Sequence, residues 1–249
     1  MGQSFFIWNG IDCRAMGVTM RGPAAIIRAE ERINHVEIPG KSGDLTETEG
    51  ENIYNSYIQT VSISVSGGYR VREVYKWLRG SGYVTFSGEP DKKQAARVIG
   101  AITLNRISRN MDRWAGEVQF YCQPLKELLR EQKQTVTVSG SAVYNMGDVR
   151  AYPKYKITAS GETVWIGIAG ADTPEGNSLT ITGQSSGSVI YVDANTMTAW
   201  KETSSGGATL ITDITDKTSG EFPVLGTGNN LIIFSGASSI EITKRERFL

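Results

Sequence analysis

His35 is the only histidine in this 249-residue chain. Triad chemistry and most zinc sites draw on imidazole, and a lone His on an extended polar run has no second His to share a metal. It reads as a surface or packing residue. Cys13 and Cys122 are far apart and lack Cys-x-x-Cys spacing, so zinc and redox chemistry are not indicated. They read as buried free thiols of a reducing compartment. Gly40-Lys41-Ser42-Gly43 places two glycines beside a Lys and a Ser, but no helix follows to complete a phosphate loop. Asp44, Glu47, Glu49 and Glu51 form an acidic run with oxygen donors suited to calcium, without the spacing of an EF-hand loop. Trp165 and Trp200 are aromatic enough to stack a sugar ring; the preferred reading puts both in a core, because large aromatics are mostly buried. No catalytic, metal or cofactor constellation emerges, and the expectation is that the chain is not an enzyme.

The elements that must position these residues are mostly β. Around His35 the chain alternates, with Ile33, His35 and Glu37 on one side and Asn34, Val36 and Ile38 on the other. Pro39 and the two glycines then supply turn chemistry, and Thr46–Glu49 leaves as another extended polar run. This predicts a hairpin arm over about 29–54, with Gly40 and Gly43 setting its turn. Its sides carry many charges and few large apolar groups, so it either lies loose or docks on something else. His35, Glu37, Lys41, Ser42 and Asp44 are the candidate contact residues.

Lys plus Arg and Asp plus Glu are both 26, a formal net charge of zero. General nucleic-acid affinity needs clustered cations for counterion release, and is not expected. No apolar run approaches the roughly 20 residues of a membrane span, and Met1–Ser4 does not open a cationic-then-apolar leader or fit the myristoylation pattern. Asn9-Gly10 predicts a hairpin after Ser4–Trp8, with Ile11–Met20 as the return strand. Pro23 interrupts, and Ala25–Ile38 is expected to run extended. Tyr57–Val65 alternates as a half-buried strand, with Tyr57, Val61, Ile63 and Val65 sharing a face. Val71, Val74, Tyr75 and Leu78 then fall at helical spacing, predicting a helix over about 70–79 stopped by Gly80. Tyr83–Phe86 is a short strand. Arg97–Arg109 and Arg113–Cys122 are predicted as a long strand pair, the second ended by Gln123-Pro124. Beyond Gln134, Gly, Ser and Thr rise and short strands recur: Thr135–Val138, Lys154–Ala159, Thr163–Ile168, Ser178–Thr182, Ser188–Val192, Thr196–Trp200, Asn230–Phe234 and Ser239–Thr243. That pattern predicts a β-sandwich. The expected domains are 1–131 and 132–249.

Several segments together carry a resemblance. Phe6-Ile7-Trp8-Asn9-Gly10-Ile11-Asp12 opens the chain, followed by Val18–Pro23 and by Val36-Glu37-Ile38-Pro39-Gly40-Lys41-Ser42-Gly43-Asp44-Leu45. An aromatic-rich strand ends in Cys122-Gln123-Pro124. Asn145-Met146-Gly147 with Pro153, Ile190–Asp193 with Met197–Ala199, Gly220–Leu225 with Gly228-Asn229-Asn230, and Arg245–Phe248 follow. In this order they resemble the distal tail proteins, the baseplate hubs of long non-contractile-tailed bacteriophages. The resemblance spans nearly the whole chain and is weakest around Thr203–Ala208. It implies a mainly β fold: an N-terminal ring-forming β-sandwich with one helix and the arm, then a C-terminal sandwich of galectin-like or carbohydrate-binding-module type. It further implies a structural virion protein made in the host cytoplasm and placed at the distal end of the tail. There a homohexameric ring would join the tail tube to the tail tip, around the tape-measure protein and the DNA exit channel, with DNA passing through and not specifically bound. The implied partners are its own copies, the tail tube protein, the tape-measure protein and the tail-tip fibre or tail-associated lysin. The alternative is a carbohydrate-binding module recognising host-wall polysaccharide through the second domain. A hydrolase of the tail tip is the third reading, supported only by scattered carboxylates.

Overall fold

A computed structural model describes residues 4–48, 50, 53–108, 110–205 and 208–249. Among these residues the chain is mainly β with one α-helix, and it divides into two compact units, residues 1–129 with Leu249 and residues 130–248.

The first unit contains β1 (Phe6–Trp8), β2 (Ile11–Asp12), β3 (Val18–Met20), β4 (Ile33–Glu37), β5 (Asp44–Thr48), β6 (Tyr57–Ser66), α1 (Gly68–Trp77), β7 (Ser81–Phe86), β8 (Lys92–Ile99), β9 (Leu104–Ser108) and β10 (Arg113–Leu128). All but β4 and β5 join one antiparallel sheet in the order β2-β1-β7-β8-β10-β6-β3, with β9 also on β10. Tyr57–Ser66 buries alternate residues, Val61, Ile63 and Val65 among them. They meet Val118, Phe120 and Cys122 of β10 and Phe6 and Trp8 of β1. Phe120 packs edge-on to Phe6 and Phe86, while Trp77 of α1 stacks on Phe6 at 5.6 Å. The helix buries Val74. Its first amide, at Gly68, donates to the Asp112 carboxylate at 2.6 Å, which satisfies a donor that a helix start leaves open.

Four stretches depart from expectation. Ile11–Met20 is not one strand. Asp12 turns the chain by accepting from the Arg14 amide and guanidinium, and Cys13–Gly17 is a series of turns before β3. The stretch expected as one strand from Arg97 is interrupted at 100–103, where four residues stand against Glu117 and Val118 alone. The excess bulges over Gly116, where a Cβ would lie 2.0 Å from the Thr103 carbonyl oxygen. Arg109 lies outside the described residues. Pro124 does not end β10. The ladder to β8 shifts register between Cys122 and Lys126 and then resumes, a bulge being a place where a strand tolerates proline. Between Ala25 and Ile38, only Ile33–Glu37 is strand.

The second unit contains β11 (Lys133–Val136), β12 (Ser141–Asn145), β13 (Lys154–Ala159), β14 (Val164–Gly170), β15 (Ser178–Ile181), β16 (Val189–Asp193), β17 (Thr198–Ser205), β18 (Ala208–Asp213), β19 (Thr218–Gly220), β20 (Gly228–Ser235) and β21 (Ala237–Thr243). They form a six-stranded sheet, β11-β21-β13-β16-β17-β18, and a five-stranded sheet, β12-β20-β14-β15-β19. Tyr155, Ile157, Val192 and Ile240 from the first meet Ile166, Ile168, Ile181 and Ile232 from the second in one buried cluster, which makes this unit a β-sandwich. Tyr155 is completely buried and donates its hydroxyl to the Pro223 carbonyl at 2.8 Å. Three buried asparagines hold the same stretch. Asn177 pairs with both backbone groups of Val224. Asn230 accepts from the Gly226 amide, and Asn145 donates to the Gly226 carbonyl. Strands β12, β18 and β19 were not expected from the sequence.

Candidate functional site

Among the described residues of the first unit, β4 and β5 of the arm are the strands that stand outside its main sheet. The arm's root is tied by backbone bonds, Arg32 N to Ile53 O at 2.9 Å and Asn55 N to Glu30 O at 2.8 Å. Beyond them β4 and β5 pair only with each other, Ile33 opposite Thr48 through Glu37 opposite Asp44. Every residue of both strands is exposed. His35 faces Thr46, and Val36 faces Leu45. Lys41 and Ser42 sit in the turn, with φ of +81° at Gly40 and +87° at Gly43, a region that favours glycine. Glu49 and Glu51 of the acidic run lie outside the described residues. Among the described residues no group of three or more His, Cys, Asp or Glu side chains is placed to hold a metal.

An isolated two-stranded hairpin is marginal in water. This one also leaves apolar side chains uncovered: Val36 and Leu45 are 44% and 47% exposed, and Ile33 and Ile38 nearly as much. Their cross-strand pairing gives one face an apolar centre, while Glu37 and Asp44 give the other its acidic end.

The chain entering the arm is anchored from below. Lys126, almost wholly buried, places its ammonium 2.6 Å from Glu89, 3.5 Å from the Ile27 carbonyl and 3.3 Å from the Leu249 carbonyl. Lys92 holds the other Glu89 oxygen at 2.6 Å. Burial alone would raise the Glu89 carboxyl, but the hydrogen bonds from Lys126 and Lys92 outweigh it and hold the group below the usual carboxylate range. The sequence offered no signal for this cluster, since its members come from four separated segments.

Cys13 and Cys122 are buried free thiols. Burial pushes both thiols up, Cys122 to about 12. Trp165 and Trp200 are not in the sandwich core. Each is an outward residue of its strand, because the inward parity of β14 belongs to Val164, Ile166 and Ile168 and that of β17 to Ala199. Trp200 stacks on Tyr191 at 5.5 Å, with the Lys154 ammonium 4.8 Å from its ring and Glu202 on its indole nitrogen. The two tryptophans lie on different sheets and do not form one site.

No protein-family model and no curated protein matches the sequence. Solved structures do match. The crystal structure of the SPP1 Dit (gp 19.1) protein, described as a paradigm of the hub adsorption apparatus in Gram-positive infecting phages, superposes with a TM-score of 0.76 at 17% identity, covering 100% of both chains. A chain of the phage P2 baseplate, in its activated conformation with Ca, superposes with a TM-score of 0.51 at 8% identity over 99% of both. From end to end, this chain has the fold of the SPP1 Dit protein.

Proposed function

We propose that this chain is a distal tail protein: a structural baseplate hub at the tail end of a long non-contractile-tailed phage or prophage virion. Six copies form a ring through their first units, each arm lying on its neighbour, and the ring joins the tail tube to the tail-tip fibre or lysin around the tape-measure protein and the DNA exit channel. The observation that carries this reading is the arm. A hairpin with no strand partner beyond itself and an uncovered Val36–Leu45 pair is explained by a surface supplied by another copy. Head-to-tail contacts of that kind close into rings, and an obligate interface buries on the order of 2,000 Å² or more. The full-length fold likeness to a phage hub protein supports it. No catalytic step is assigned to the chain.

Native mass measured over a range of concentrations tests the reading. The parent chain is expected to populate a hexamer. Replacing residues 36–49 by a short Gly-Ser linker is expected to leave the unit folded and to shift the population toward monomer. If the shortened chain assembles as the parent does, alone and with the neighbouring tail proteins, the arm is not the ring contact.

A further inference from the structure

The two sheets of the second unit differ in charge. Each of the six strands β11, β13, β16, β17, β18 and β21 contains at least one Lys, Asp or Glu. The five strands β12, β14, β15, β19 and β20 contain no charged residue at all. Charged residues make up 21% of the chain, so five neighbouring strands without one are a feature that folding does not require; Glu221, just past β19 and bonded through its amide to the Ser178 carbonyl, marks the edge of the uncharged area.

Trp165 lies on the middle strand of that sheet, near the strand's start. Its benzo ring runs along the strand over Gly167, where a Cβ would sit 2.7 Å from the indole. Glycine thereby lets the indole lie flat on the sheet instead of standing up from it. Trp165 is partly exposed, and among the described residues no other ring stacks on it and no cation lies over it, in contrast to Trp200. Hydroxyls flank the indole on both neighbouring strands. Ser235 and Thr180 are its direct cross-strand partners, Ser219 stands beyond Thr180, and Ser178 is opposite Gly167. Directly opposed side chains sit about 5 Å apart, within reach of groups on a ring resting on the indole. Among the described residues none of these four hydroxyls makes a side-chain hydrogen bond within the protein.

We propose that this face binds uncharged polysaccharide, with the Trp165 indole as the stacking platform and Ser178, Thr180 and Ser235 as hydrogen-bonding groups around it. A pyranose presents a face of C–H groups and a rim of hydroxyls. The C–H face packs on an aromatic plane, and the rim needs neutral donors and acceptors, which a serine or threonine hydroxyl supplies in both roles. A face without charge offers nothing to a polyanionic wall polymer and imposes no charge-desolvation cost on a neutral one. Trp200 is not part of this site: Tyr191 and Lys154 already occupy its ring.

The inference does not depend on ring formation, and its test reads a different quantity. The full-length chain is run in native gels containing dextran, a galactan, a β-1,4-linked N-acetylglucosamine polymer rendered soluble, or polyglycerol phosphate, with calorimetric titration of any binder. Retardation by at least one neutral polymer is expected. Trp165→Ala should weaken it tenfold or more, Trp165→Tyr should retain part of it, and Trp200→Ala should leave it unchanged. Gly167→Ala should weaken binding while the tryptophan remains, because it lifts the indole off its seat. Thermal melting of each variant guards against misfolding, and Thr180→Val supplies an independent substitution at the rim. Retardation by polyglycerol phosphate alone, by no polymer, or equally with and without the Trp165 indole would overturn the proposal. So would a Trp165→Ala variant that loses binding to a neighbouring tail protein while its glycan binding is intact.

Discussion

Glu37 and Asp44 stand directly opposite each other across the arm, the last cross-strand pair before the turn. Two carboxylates in that position repel, by roughly a few tenths of a kcal/mol up to 1 kcal/mol at low ionic strength. The arm therefore carries a charge pattern that weakens it as a free hairpin.

Asp44→Asn is accordingly expected to strengthen the hairpin. Hydrogen exchange at the β4 and β5 amides, measured on monomeric protein in low salt, should slow by about two- to fivefold. Moderate salt should produce the same slowing in the parent chain. Equal exchange in both proteins would mean that the two carboxylates do not oppose each other in solution.

Val36→Asp combined with Leu45→Asp separates folding from assembly. Both side chains are exposed and the two new carboxylates face each other, so the hairpin itself should weaken by up to about 1 kcal/mol, while the melting free energy of the unit, whose core lies outside the arm, should change by no more than about 0.5 kcal/mol. The oligomer should be lost, because a charged pair replaces the apolar centre of the contact. A double variant that keeps the parent's mass distribution would count against the arm as the interface.

Breaking the Lys126–Glu89 pair tests the anchor below the arm. Lys126→Met leaves Glu89 with Lys92 alone, while Glu89→Gln strands a buried ammonium. The second should therefore cost more, about 3 kcal/mol. The pH dependence follows from the lowered Glu89 carboxyl. Its contribution is complete above the carboxyl's unfolded range near 4.5 and is lost as pH falls through the lower folded value. Melting temperatures of parent and Glu89→Gln should thus converge as the buffer is taken from pH 7 toward pH 3.

Much of the fold could be read from the chain because its cues are local. Asn9-Gly10 makes a two-residue hairpin, with Trp8 opposite Ile11, and the amphipathic run at Val71–Leu78 gives the single helix. The misreadings have non-local causes. Pro124 looks like a terminator until the partner strand is known to accommodate a bulge there. Strand β12 is a short run whose outward Ala142 and Tyr144 break the polar half of the alternation. The tryptophans were assigned to the core by residue type, although the parity of Val164, Ile166 and Ile168 already pointed Trp165 the other way. The Glu89–Lys126 anchor joins residues 37 apart, and nothing in their local sequence marks them as partners.

The Phe222–Asn230 stretch owes its shape to side-chain amides, and this too is measurable. Asn230→Ala removes an acceptor from the Gly226 amide and donors from the Gly226 and Gly228 carbonyls. At about 1–3 kcal/mol for each buried group left unpaired, a loss of at least 2 kcal/mol is expected in denaturant unfolding of the second unit. Asn230→Asp should also destabilise it, since the carboxylate keeps the acceptor but loses the donors.

The burial of the two native thiols has a practical consequence. With its thiol near 12, Cys122 is ionised to about one part in ten thousand at pH 8, and Cys13 is equally enclosed. Folded protein should therefore be silent to maleimides without any cysteine being removed. A single new cysteine at Ser42, in the exposed turn of the arm, then becomes the one labelling address on the chain. A fluorophore placed there would report by its polarity and quenching whether the arm tip meets water or a neighbour, in the otherwise unaltered protein.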